Sequence, residues 1–198
     1  MAPVPVRQDR LHEFVSFDAF YNWLAANHDK ADEAWIRIFK KNTGRPTITP
    51  VEAIDAVLCW GWIDAIKKSW DDESFVQRYC PRRPKSVWSQ INRDNVARLI
   101  DAGLMTPHGL VHVEAAKADG RWDAAYKTTQ EAPADLLAAI AASPVAQATY
   151  DTLSAQNRFA LIFRTNALKT EAGRRKKIAA FVAMLERGET IYPQKAKP

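Results

Sequence analysis

An α+β fold is what the sequence predicts: a small antiparallel sheet with helices in the N-terminal part, followed by a mainly helical C-terminal part. Three observations lead there. Runs rich in aromatic and β-branched residues, bounded by turn signals, occur only between residues 34 and 80. Helix-start signals with apolar residues at i, i+3 and i+4 flank those runs. Beyond Pro84 the strand-like runs stop and helix starts recur to the end. This divides the chain into an α+β domain over residues 14–128 and a helical module over 132–190.

Taken in order, the first dozen residues are Pro-rich and polar and read as loose. Ser16 caps a helix to about His28, with Phe17, Phe20, Tyr21 and Leu24 on one face. Residues 34–40 read as a strand, and the following NTGRP as a turn. Thr49-Pro50-Val51-Glu52 combines an N-cap, a first-turn proline and a capping-box glutamate, and the helix it opens stops near Gly61. Residues 62–70 and 74–80 read as two strands joined by the acidic turn Asp71-Asp72-Glu73. Helices follow over 86–102, with Ser86 as N-cap, and from Thr106-Pro107 to about Ala118. Further starts stand at Ala132-Pro133, at Ser143-Pro144, near Asn157 and near Thr170. In the last helix Ile178, Phe181, Val182 and Leu185 form an apolar stripe, and Gly188 stops it.

Charge is distributed unevenly. The net charge is +5, yet residues 1–80 hold 10 Lys/Arg against 12 Asp/Glu, and residues 81–198 hold 18 against 11. The second part is therefore where an anionic partner is expected. Cys59 and Cys80 are the only cysteines, which gives neither a disulfide framework nor a four-ligand zinc site. The N-terminus lacks the apolar run of a signal peptide, and no stretch approaches the ~20 apolar residues of a membrane span, so a cytoplasmic location without membrane insertion is expected.

The segment with most chemistry is PRRPKSVWSQIN, Pro81 to Asn92. Pro81 and Pro84 hold the chain extended, and Arg82, Arg83 and Lys85 gather beside the free N–H groups of a helix start at Ser86. A helix N-terminus with guanidinium neighbours is an anion site, and Ser89 and Asn92 extend it along one helix face. The alternative is that these arginines pair with acids such as Asp64 or Asp71 and hold the sheet to the helices. In CWGWID, Trp62 and its neighbours form either core or a pocket wall, with Asp64 at its edge. His108 and His112 stand at i and i+4, but HGLVH lacks the glutamate of HExxH and no third ligand is near in sequence, so no metal site is assigned. Arg174-Arg175-Lys176-Lys177 presents four adjacent cations. There is no P-loop, GxGxxG or GxSxG, and no cofactor is expected.

The strings CWGWIDA, CPRRPKSVWSQIN, GLMTPHGL and AKADGRWDAAY together resemble the YdeI/OmpD-associated, or bacteriocin-protection, family over roughly residues 14–190. The tail from about Pro133 to Arg187 is similar to its C-terminal OmdA-type module. The resemblance implies a link to tolerance of bacteriocins or cationic antimicrobial peptides, without a settled reaction or cofactor. Its motif positions fall on Trp62, Asp64, Arg82, Arg83, Lys85, Ser86, Trp88, Ser89, Gly120, Trp122 and Tyr126.

The leading expectation is a non-enzymatic stress or peptide-resistance protein that binds an anionic small molecule or acidic protein partner. Its ligand-binding residues would be Trp62, Asp64, Arg82, Arg83, Lys85, Ser86, Ser89 and Asn92. Two alternatives stand beside it: a nucleic-acid-associated module using the basic last helix, and a hydrolase or transferase built on Asp64 with the cationic cluster.

Overall fold

Ser16 and Thr49 act as the two caps that set the first layer. Ser16 Oγ accepts from the Ala19 N–H at the start of α1 (Phe17–Asn27), and Thr49 with Glu52 forms a full capping box on α2 (Pro50–Cys59). In the computed structural model, which describes residues 4–127 and 131–194, both helices pack on a four-stranded sheet. Its strands are β1 (Leu11–His12), β2 (Ala34–Phe39), β3 (Trp62–Ser69) and β4 (Ser74–Pro81), in the order β1-β2-β4-β3. β2, β4 and β3 are antiparallel neighbours, with a register shift between Asp64 and Lys67 on β3. Phe20, Leu24, Ile36, Ile38, Val57, Trp62 and Tyr79 close the core between sheet and helices.

Two expectations need correction here. The N-terminal dozen is not wholly loose: Leu11–His12 pairs in parallel with Trp35 and Ile36, and Arg7 reaches Asp32 at 2.9 Å. The open edge of β2 takes any extended segment brought to it. The next helix, α3 (Gln90–Asp101), begins four residues later than expected, with Ser89 rather than Ser86 as its cap. A contact distant in sequence decides this. Tyr126 donates its N–H to Trp88 O (3.0 Å) and accepts from the Gln90 N–H (2.8 Å), which keeps residues 86–89 out of the helix.

α4 (Pro107–Ala118) crosses the end of α2 at very close range. Thr106 caps α4 and also donates its hydroxyl to Cys59 O at 2.6 Å. A Cβ on Gly109 would stand 2.4 Å from that same carbonyl oxygen, so only glycine lets the two backbones meet. Gly61 (φ 71°) turns the chain from α2 into β3 with His112 against it. A second apolar cluster, Leu58, Trp88, Val96, Leu99 and Val113, fills the space among α2, α3 and α4. The Asp55 carboxylate joins α2 to α3 through two 2.7 Å bonds from Arg98.

The chain divides into two compact units, residues 1–128 and 129–198. All regular secondary structure among the described residues of the second is helical: α5 (Ala134–Ala141), α6 (Pro144–Thr152), α7 (Ala155–Asn166) and α8 (Glu171–Glu186). Leu136, Ile140, Leu161, Phe181 and Leu185 form its core. Ser143, Ser154 and Thr170 each cap a helix by side chain. No helix among the described residues is long and apolar enough to cross a membrane.

Candidate ligand site in the first unit

The arginines of PRRPK separate into two kinds. Arg82 is only 4% exposed. Its guanidinium lies 3.8 Å over the Trp88 ring and donates through Nη1 to Val87 O at 3.1 Å. Nη2 is buried with no partner, and no carboxylate lies within ion-pair distance among the described residues. Burial pushes its pKa down to about 10, against the opposing pull of Asp64, so it stays cationic at neutral pH. Arg83 and Lys85 are exposed. Ser86 is half-buried, and its carbonyl accepts from Arg121 Nη1 at 2.9 Å.

The returning segment after α4 holds this stretch in place. Trp122 meets Trp88 edge to face at 4.9 Å, and Arg93 donates to Trp122 O at 2.8 Å. Arg121 is itself fixed by Asp119. PRRPKSVWS and DGRWDAAY, far apart in sequence, are thus one packed feature.

Asp64, Ser89 and Asn92 line a single cleft of about 320 Å³, with Ile54, Ile63, Val87, Ile91 and Tyr126. Burial raises the Asp64 carboxyl above the usual carboxylate range, although its own backbone N–H and the Arg82 charge pull it down. At the rim begins α3. Its Gln90 N–H is taken by Tyr126 O and its Asn92 N–H by Ser89 Oγ, while the Ile91 N–H and the Asn92 side-chain amide bond to nothing among the described residues. The cleft thus offers hydrogen-bond groups at a helix N-terminus, a carboxyl whose pKa burial raises, and a buried cation whose charge reaches Asp64 and Tyr126.

The structure places the eight sequence-derived candidates as follows. Asp64, Ser89 and Asn92 share the cleft, and Arg82 acts on it electrostatically. Arg83, Lys85 and Ser86 do not line it, and the first two are exposed. Trp62 is outside it: 1% exposed, with its Nε1 donating to His28 O at 3.1 Å and its ring edge-on to Trp23. Tyr126, Ile54 and Ile91 were not among the residues chosen from the sequence, and only Tyr126 carried a signal, as a motif position.

The histidines also find a neighbour that spacing did not suggest. His28 meets His108 with the rings tilted and 4.1 Å between centroids, and both join His112, Trp60 and Trp62 around a recess of about 210 Å³. Among the described residues no group of three or more His, Cys, Asp or Glu is arranged to hold a metal ion. In the second unit, Arg174 binds Asp135 through Nε (2.6 Å) and Nη2 (2.8 Å), and Arg175 sits 3.6 Å from Glu171. Two of the four cations are therefore ion-paired within their own unit, and Lys177 lies 5.6 Å over the Phe181 ring.

Residues 12–112 match the family described as Domain of unknown function (DUF8412), and residues 129–188 match the family described as Bacteriocin-protection, YdeI or OmpD-Associated (OmdA). The resemblance read over residues 14–190 thus has its named counterpart in the second unit, while the first unit matches a family of its own. No curated protein and no solved structure matches the chain. The chain belongs to the DUF8412 family and carries, after that domain, an OmdA domain of the bacteriocin-protection type.

Proposed function

We propose that the protein is a non-enzymatic, cytoplasmic participant in bacteriocin or antimicrobial-peptide resistance whose first unit binds a small anionic ligand in the Asp64–Ser89–Asn92 cleft. The observation that carries this is Arg82, a buried cation with an unpartnered Nη2 behind a cleft whose carboxyl is raised. An unpaired buried charge is costly to maintain, and a bound anion offsets that cost. The open Ile91 N–H and Asn92 amide supply the direct hydrogen bonds. Binding is favoured over catalysis because neither Arg82 nor Ser86 lines the cleft with Asp64, and the Ser89 hydroxyl is engaged as a helix cap.

Thermal melts followed by circular dichroism, at fixed ionic strength with inorganic phosphate, sulfate or acetate, test this. At tenfold saturation the wild-type transition of the first unit should rise by roughly 3–6 °C. Arg82→Met, which keeps an apolar contact with Trp88, and Asn92→Ala should both lose that rise. A shift equal in wild type and both variants would count against the cleft.

A further inference from the structure

A cavity of about 610 Å³ lies away from this cleft, at the end of β2, bordered by Phe39, the 40–50 connection, Lys67 of β3 and Phe75 of β4. Its floor is apolar: Phe39, Ile48, Phe75 and Val51, the last 64% exposed at the first turn of α2. Its rim is cationic. Arg45 lies 3.7 Å over the Phe39 ring and Lys67 3.8 Å over the Phe75 ring, with Lys40 and Lys41 beside them.

The acids nearby leave part of this charge open. Glu73 stands 3.8 Å from Arg45, and Lys40 donates to the Asp72 carbonyl. Glu52 is turned to the α2 cap, where it accepts from the Thr49 N–H and hydroxyl. Lys41 and Lys67 have no ion pair among the described residues. The size is that of a small-molecule pocket, and an exposed valine beneath two unpaired ammonium groups suits a molecule with an apolar body and an anionic head.

We infer that this cavity is a second ligand site that takes a small amphipathic anion, its apolar body on Val51 and Phe75 and its carboxylate or phosphate head between Lys41 and Lys67. Arg37 and Arg45 over the Phe39 ring and Lys67 over the Phe75 ring take up faces that a stacked aromatic would need, which favours an aliphatic body. The site is independent of the Asp64 cleft.

Titration calorimetry with octanoate, octyl phosphate, octanol and acetate tests it. Octanoate or octyl phosphate should bind at least about tenfold more tightly than octanol or acetate, since each of the latter lacks one half of the match. Whichever of the two binds better identifies the head group. Lys41→Gln/Lys67→Gln, both at exposed positions, should leave the fold intact and bring the affinity down to that of octanol, and Val51→Asp should weaken it similarly. Arg82→Met should leave it unchanged. Equal binding of octanoate and octanol, wild-type affinity in the double variant, or binding only to phosphatidylglycerol vesicles and to neither free anion would overturn the proposal.

Discussion

Replacing Gly109 with alanine should cost the first unit about 3 kcal/mol or more, a fall of roughly 10 °C in its melting temperature. The added Cβ would sit 2.4 Å from Cys59 O and 2.8 Å from both Cys59 C and Leu58 O. These are backbone atoms of α2, so no side chain can turn aside, and relief requires α4 to move away. That movement stretches the 2.6 Å bond from Thr106 to Cys59 O and loosens Val113 and Ala116 from Leu58 and Cys59. Ala115→Ser, exposed on the same helix, should change the melt little. A Gly109→Ala protein that melts within 2 °C of wild type would show that α2 and α4 are not held at this distance.

Trp62→Ala should be comparably severe, at about 3–5 kcal/mol. The indole is fully enclosed against Trp23 and the core, and its N–H satisfies the His28 carbonyl where α1 ends. Trp62→Phe should fall between, because it keeps much of the ring but orphans that carbonyl at about 1–3 kcal/mol. It should also retain wild-type anion affinity, which distinguishes a core residue from the ligand contact that the motif suggested. Urea unfolding with a parallel sulfate titration reads both quantities. Normal stability with lost binding would reverse this assignment.

Local chemistry made most of the fold legible. Ser16, Thr49, Thr106, Ser143 and Thr170 all cap the helices their positions announce, because a cap is written within four residues. The strands at 34–39, 62–69 and 74–81 follow from β-branched and aromatic runs between turns. What failed to show depended on distant partners. β1 is two residues long and exists because β2 has a free edge. Ser86 and Ser89 are equally good caps locally, and Tyr126 selects between them from 37 residues beyond Ser89. The same remoteness governed the sites. Asp64, Ser89 and Asn92 could be suspected from the chemistry of their own segments and Tyr126 from its motif position, whereas Ile54 and Ile91 reach the cleft only through packing. The Phe39–Phe75 cavity draws on three strands and a connection, and its NTGRP segment reads only as a turn.

The motif arginines divide for a related reason. A sequence marks Arg82, Arg83 and Lys85 as equal cations, but Trp88 is positioned to cover only the first. Burial then makes Arg82 both a fastener, through Val87 O, and a standing positive charge behind Asp64. Under the proposed function, the structural and ligand-binding roles that appeared as alternatives in the sequence meet in one side chain.

The central claim is that this charge and the Asp64 proton together govern anion binding, and the pH dependence of sulfate affinity tests it most directly. Sulfate keeps its charge across the useful range, so only the protein titrates. An anion in the cleft disfavours the Asp64 carboxylate and raises its pKa further, so binding takes up a proton. Affinity should therefore be greatest below the pKa of Asp64 in the free protein, fall as pH rises through that already raised value, and level off above the bound value. Calorimetry of wild type and Asp64→Asn between pH 4.5 and 8.5 should show this fall in wild type alone, with the variant binding more tightly at the upper end. Parallel pH profiles for the two proteins, or tighter wild-type binding at high pH, would contradict the account.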